Sequence, residues 1–285
     1  MLDPQVLREW TFAPLTQSYT DRDTILYALS LGFGSDPTDA RELPFVYERG
    51  LQAVPTMAAV LCHLGPWADD PRVGMTRSRT VHGQQDIVFH RPLPPKGSLT
   101  CRARVLALED KGADKGALLH VERTLTDMAT GDDIATILHS SFCRADGGFG
   151  VGFGDPPPAP PPIPEREADL VVSLPISLRA ALLYRLNVDR NPLHIDPEVA
   201  AKAGFPKPIL HGLCLYGMAA RAILQGMLDY DVARLLSLNT RFSAPLYPGE
   251  VVDFHLWRSS DAVQFRAFVP ARGVKVLDNG YARLG

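Results

Sequence analysis

Residues 144–168 read RADGGFGVGFGDPPPAPPPIPEREA, a glycine-rich piece followed by seven prolines between Pro156 and Pro164. Glycine loosens a backbone, and consecutive prolines hold it in extended polyproline II without internal hydrogen bonds. The stretch is therefore expected to be a spacer and not core. It divides the 285 residues into an N-terminal unit over 1–145, a Gly/Pro-rich linker over 146–168 and a C-terminal unit over 169–285. That length suits two packed units. The glycines of GGFGVGFG have dinucleotide-like spacing, but they lead into prolines, without the helix that a nucleotide-binding turn requires.

The two units carry one local pattern. Phe89-His-Arg-Pro-Leu-Pro-Pro-Lys-Gly97 precedes SLTCRARVLAL, and Phe242-Ser-Ala-Pro-Leu-Tyr-Pro-Gly249 precedes EVVDFHLW. Both read F-x-x-P-L-x-P with a glycine soon after, which is turn chemistry leading into the alternation of a half-buried strand. In the first unit, Thr20 or Asp21 can cap a helix with Ile25, Leu26 and Leu29 on its apolar face, and 54–64 is a second helix candidate. Strands are expected near 79–90, 98–109, 116–127 and 133–145. In the second unit, a helix from Gly212 to Leu228 precedes strands near 236–242, 250–258, 262–269 and 273–283. Helix first and strands after points to an α+β class, with antiparallel sheet packed on a helix.

Composition excludes several functions. Apolar residues make up 46% and charged residues 21%, so the chain can bury a core, and a net charge of −3 gives no general attraction for nucleic acid. No apolar run approaches the ~18 residues of a membrane span. The opening Met-Leu-Asp-Pro-Gln lacks a secretion pattern, and the closing Ala-Arg-Leu-Gly is not an SKL-type address, so a cytoplasmic location is expected. Cys62, Cys101, Cys143 and Cys214 form no C-x-x-C pair and are expected to be buried small hydrophobes.

Chemistry concentrates in 184–217, YRLNVDRNPLHIDPEVAAKAGFPKPILHGLCLYG. Pro192 biases Asn191 toward an extended conformation, and the Asn-Pro step can turn Asp189 and His194 toward a common point. A carboxylate and an imidazole there can share a water, one taking its proton while the other handles the second, with Asn191 orienting it. A turn hydrogen bond between the two is the plainer alternative. His211-Gly212 precedes the apolar helix, whose first N–H groups lack intrahelical partners, so the Gly212 N–H can hold a carbonyl oxygen gaining charge. Asp196-Pro197-Glu198 reads as the cap of a short helix ending near Ala203. Asp189, His194, Asp196 and His211 are metal-ligand types, but no H-x-x-x-H or H-E-x-x-H spacing puts two on one helical face, so no metal is expected.

The whole segment resembles the MaoC-like (R)-specific enoyl-CoA hydratases, or hydratase 2. Their signature of tyrosine, a spacer, S-G-D-x-N-P-L-H and P-I-L-H-G-L stands here as Tyr184, N-V-D-R-N-P-L-H-I-D-P and Pro208–Leu213. The later R-F-S-A-P-L-Y-P-G-E is similar too. YTDRDTILYALSLG, LPFVYERG, VPTMAAV, VHGQQDIVFHRPLP and LEDKG extend the likeness through the first unit, toward the hydratase domain of peroxisomal multifunctional enzyme type 2. The resemblance implies a double hot-dog fold, two antiparallel sheets each wrapped around a central helix. The first unit would be non-catalytic and make room for the acyl chain. It also implies reversible syn hydration of trans-2-enoyl-CoA to (3R)-hydroxyacyl-CoA. Asp189, His194 and Asn191 would be catalytic and Gly212 the oxyanion donor. His82, Gly83, Lys111 and Phe242 would contact the CoA ester, and Glu48 would support the site. No separate cofactor is implied, since CoA arrives with the substrate, and a homodimer is suggested. The family's Ser-Gly before the aspartate is Asn187-Val188 here, where β-branched Val188 tolerates few of glycine's backbone angles. Two alternatives stand beside this reading. One is a dehydratase acting on 3-hydroxyacyl groups of a carrier protein or of CoA; the other is a non-catalytic acyl-CoA-binding hot-dog protein.

Overall fold

The computed structural model describes residues 1–285. The first half supplies strands β1 (Leu15–Tyr19), β2 (Thr80–Phe89), β3 (Gly97–Asp110), β4 (Ala117–Asp127) and β5 (Asp133–Cys143). The second supplies β6 (Leu170–Pro175), β7 (Leu235–Phe242), β8 (Val251–Arg258), β9 (Ala262–Val269) and β10 (Val274–Leu284). They form one sheet in the order β1-β3-β4-β5-β2-β7-β10-β9-β8-β6. Outward from the β2–β7 seam both halves repeat one order, which is the duplication the F-x-x-P-L-x-P copies predict. Phe89 ends β2, Phe242 ends β7, and Leu93 and Leu246 just beyond are buried. The double hot-dog arrangement is thus present, with its two five-stranded sheets joined edge to edge. β1 and β6, short outer strands, are additions to the sequence reading. The six helices are α1 (Pro4–Arg8), α2 (Asp21–Ser30), α3 (Leu43–Val46), α4 (Ala180–Tyr184), α5 (Pro197–Lys202) and α6 (Gly212–Met227). No helix is long and apolar enough to cross a membrane.

Only the second half has a long central helix. α6 is apolar on nearly all sides and runs through the main core, with every residue from Cys214 to Leu224 buried. The expected helix over 54–64 is instead a 3-10 turn, Pro55–Ala59, followed by irregular chain. Arg123 on β4 holds this segment from outside. Its buried guanidinium takes the carbonyls of Ala59 (2.8 Å), Leu61 (2.9 Å) and Cys62 (3.0 Å); the first is an acceptor that a helix would spend internally, and the other two would end it unpaired. Cys62 is left with a positive φ of 49°. All four cysteines are free and buried.

α2 starts on the expected cap, where Thr20 and Asp23 form a capping box. Its buried face differs from the one expected. Thr24, Tyr27 and Ala28 are buried, with Leu31 just beyond the helix, while Leu29 is exposed and Ile25 and Leu26 are half-buried. Thr24 can point inward because its hydroxyl donates to the Pro95 carbonyl at 2.7 Å. Gly217 explains how closely α2 meets α6, since a Cβ there would lie 2.6 Å from the Leu31 side chain.

The linker departs from a free spacer in its glycine part. The Asp110 carboxylate accepts the N–H groups of Gly112, Gly148 and Gly150, and Phe153 pairs with Leu108 on β3. Side chains at Gly152 and Gly154 would collide with the Leu108 and Leu106 carbonyls, at 1.9 and 2.1 Å. Glycine here permits close docking. The proline part follows without regular structure, and its Pro161 and Pro162 carbonyls accept from Gln264 on β9.

The seam carries one titratable carboxyl, that of Asp86. Ile87 and Leu238, paired across it, are fully buried in the main core. One position along, on the opposite face, the Asn239 amide donates to the Asp86 carboxylate. Burial pushes the Asp86 carboxyl up to about 6, against the hydrogen bonds from Asn239 and Gln84. A carboxyl with a raised folded value binds more protons in the native state. The resulting stabilisation is present below pH ~4 and is lost as pH rises through ~6, at most about 3 kcal/mol. Asp86→Asn is expected to remove this component. The urea-measured stability difference between wild type and variant should change by 1–3 kcal/mol from pH 4 to pH 7.5, in the variant's favour. A constant difference across that range contradicts it.

Candidate active site

The chain between α4 and α6 folds as its polar residues dictate. Asp189 Oδ1 accepts the Asn191 N–H at 3.0 Å, and Asn191 Oδ1 accepts the Leu193 N–H at 3.0 Å, capping the 3-10 turn Pro192–His194. Asp196 caps α5 through the Glu198 and Val199 N–H groups, as expected. The Asn-Pro turn brings Asp189 and His194 together, with His194 Nε2 3.7 Å from Asp189 Oδ2. That is too long for a direct hydrogen bond and close enough for one water to bond both. The Asp189 side chain is 43% exposed and that of His194 9%, so the gap opens toward solvent on the carboxylate side.

The tautomer of His194 follows from its partner. Nδ1 lies 2.9 Å from the Ile209 carbonyl, which can only accept, so Nδ1 carries the proton and Nε2 presents a lone pair toward Asp189. Burial lowers the His194 pKa, so the ring is neutral at neutral pH. His211 stacks on it, centroids 3.7 Å apart, and its Nε2 donates to the Asp189 carbonyl at 3.1 Å. Burial, and then the neighbouring His194, push His211 down to about 4. His211 therefore supports the loop backbone, while its buried Nδ1 has no partner.

His211 also precedes α6 and offers it no side-chain cap. The Gly212 N–H makes no hydrogen bond within the chain, and Gly212 is exposed. The free N–H sits at the positive end of a 16-residue helix, one residue from the histidine that holds the Asp189 backbone. A Cβ on Gly212 would press on the Phe242 ring at 3.4 Å, so the glycine leaves room there. Phe242 meets His82 edge-on at 4.7 Å, and His82 stacks on His139 at 3.8 Å. Gly83 occupies a β-bulge opposite Ser140 and Ser141. Asp189, Asn191, His194, Gly212, His82, Gly83 and Phe242 thus form one neighbourhood.

Two expected residues share no hydrogen bond or ion pair with these groups. Lys111 lies at the β3–β4 hairpin, its ammonium 2.7 Å from Glu109 Oε2. Glu48 is exposed and hydrogen-bonded to nothing in the chain. The carboxylate that supports the architecture on that segment is Glu42, buried against Arg221 of α6. Sequence reasoning missed His139, whose only signal is an inward position on β5. Its pKa is held well below the usual histidine value by burial and by His82. Val188 shows no positive φ, and its side chain packs on the main core, so the loop does not require the family's glycine.

Asp189, His194 and His211 offer ligand atoms within 4.8 Å of one another, the one such group in the chain. The two imidazoles are nearly parallel, at 27°. His194 Nδ1 and His211 Nε2 are committed to backbone carbonyls and His211 Nδ1 is buried, which leaves one imidazole nitrogen facing Asp189, so the arrangement suits a shared water better than a metal.

The fold and this site define a MaoC-type protein. The MaoC like domain family matches residues 161–279, and the MFE-2 hydratase 2 N-terminal domain family matches residues 17–145. The Mycobacterium tuberculosis enoyl-CoA hydratase ChsH3 is 39% identical over 94% of this chain and 93% of its own. The 3-hydroxyacyl-thioester dehydratase Y of the same organism is 37% identical over 98% and 97%. A crystal structure of a MaoC-like dehydratase from Phytophthora capsici superposes with a TM-score of 0.88 at 34% identity, covering 100% of this chain and 99% of that one. The chain belongs to the MaoC-like family, with a hydratase 2 N-terminal domain ahead of its MaoC domain.

Proposed function

We propose that this protein is an enoyl-CoA hydratase that adds water reversibly to trans-2-enoyl-CoA, in the syn sense, to give (3R)-3-hydroxyacyl-CoA. The observation that carries the reading is the 3.7 Å gap between the Asp189 carboxylate and the unprotonated Nε2 of His194, beside the unpartnered Gly212 N–H. Asp189 holds the water. The Nε2 lone pair takes one of its protons as the water oxygen bonds to Cβ. That proton goes back to Cα from the same side, so hydroxyl and hydrogen arrive on one face. The Gly212 N–H binds the thioester oxygen, draws electrons from Cβ and stabilises the enolate-like charge that develops. The free amide of Asn191, whose oxygen is committed to Leu193, can donate to the water. A cytoplasmic location and a homodimer belong to the same reading.

The dehydratase relative favours a second use of the site, the same steps run backward on a (3R)-hydroxyacyl thioester. A purely binding role needs no acid/base pair. The test is the purified protein with a trans-2-enoyl-CoA and chiral analysis of the product. The expected result is hydration to the R alcohol. An S product overturns the face of attack proposed here, and no turnover on CoA or carrier-protein thioesters removes the enzymatic reading.

A further inference from the structure

The first half contributes more to this site than room for an acyl chain. At the end of α2, the buried Ser30 touches both the segment that leads to Asp189 and the first turn of α6. Its hydroxyl donates to the Tyr27 carbonyl at 2.6 Å and accepts from the Asn187 side-chain amide at 3.4 Å. Its backbone carbonyl accepts the Cys214 thiol at 3.5 Å, in the first turn of α6. Asn187 spends its other amide proton on the Tyr184 carbonyl at 3.0 Å. Two residues on comes Asp189, and two residues before Cys214 comes Gly212.

We propose that Asn187 and Ser30 are positioning residues, a clamp through which the first half fixes the Asp189 loop relative to the oxyanion N–H of α6. Asn187 and Val188 stand where the resembling signature has Ser-Gly. The amide ties the loop to α2 and the valine side chain docks it on the core, so the loop here is held by side chains. Leu31 and Tyr27, pressed against Gly217, keep α2 itself immobile against α6. A loop so fixed presents the carboxylate at one distance from His194, and freeing it spreads that distance over many conformers. The consequence is a loss of kcat at nearly constant KM, because thioester binding does not use these groups.

The proposal rests on the hydratase reading, and the experiment separates the two. Asn187→Ala, Ser30→Ala and the double variant are assayed on a trans-2-enoyl-CoA. Amide hydrogen exchange is followed over residues 185–195 in all four proteins. Each single variant is expected to lose about tenfold in kcat with KM within twofold. The double variant should lose less than the product of the two single losses, since both delete the shared Ser30–Asn187 bond, and exchange over the loop should rise in all three. Losses that multiply in the double variant, or unchanged kcat and exchange in the single variants, overturn the clamp. An inactive wild type overturns the hydratase reading, and the exchange arm still decides the clamp. Ser30→Ala leaves a small void, so melting temperature is recorded. A kcat loss that follows the melting temperature and not loop exchange also counts against the clamp.

Discussion

His194→Ala is expected to lower kcat/KM for enoyl-CoA hydration by about 10²–10⁴-fold, the range that a positioned acid/base supplies. The ring provides the only unprotonated nitrogen facing Asp189, because its Nδ1 proton is committed to the Ile209 carbonyl. No neighbour can replace it. His211 uses Nε2 on the Asp189 backbone, and its Nδ1 is buried. Asp189→Asn keeps shape and removes the charge that holds water and would balance an imidazolium, so a loss of about 10²-fold or more is expected. The double variant should fall little below His194→Ala, since the pair acts on one water. Stability separates chemistry from folding. Asp189 is half-exposed and its substitution should leave the melting temperature nearly unchanged. Removing the buried ring orphans one carbonyl at a cost of about 1–3 kcal/mol. Activity within tenfold of wild type in both single variants removes these residues from the mechanism. The pH profile gives a second check. Burial lowers the His194 pKa, so the base stays unprotonated below the usual histidine value of about 6.5. The acid limb of kcat/KM should therefore lie below pH 6.5, and a limb above it contradicts the buried neutral ring.

What the sequence revealed follows from which interactions are local. Strong alternation over 98–109 and 116–127 marks β3 and β4 within a residue or two, and the long apolar run after Gly212 marks α6. β1 and β6 escaped because LTQSY and LVVSLP are five- and six-residue outer strands whose partners, not their composition, make them strands. VPTMAAVLCHL reads as helix because it is apolar and must be buried. That Arg123, over sixty residues away, would claim its carbonyls is a tertiary fact with no local trace. The α2 face was misplaced for a related reason. A threonine counts as polar until a carbonyl from another segment satisfies it. The site divides along the same line. Asp189, Asn191 and His194 lie in one continuous motif whose turn chemistry is written in Asn191-Pro192, so their convergence is local. Lys111, Glu48 and His139 depend on where distant strands and loops come to rest.

The largest stability effect belongs to a contact that sequence reading did not find. Glu42 and Arg221, with side chains 4% and 6% exposed, tie the loop after α2 to the middle of α6. Glu42 Oε1 accepts both Nη2 (2.8 Å) and Nε (3.1 Å) of Arg221, and Oε2 accepts the Gly34 N–H at 2.7 Å. Tyr230 donates to the same carboxylate at 3.2 Å, and Arg221 Nη1 donates to the Leu31 carbonyl at 3.3 Å. Desolvating two charges is costly, so the intact pair adds little net stability. Removing one partner is different, because it strands the other charge in the core at about 3–5 kcal/mol. Glu42→Ala is expected to cost that much in urea denaturation, a large share of the 5–15 kcal/mol typical of a folded chain. Arg221→Met should cost a similar amount at pH 7.5. The double variant Glu42→Leu with Arg221→Met should be more stable than either single one, since neither charge is left unpaired. If Glu42→Ala costs under 1 kcal/mol, or the double variant loses the sum of the single losses, the pair is not the desolvated contact that its burial and hydrogen bonds describe.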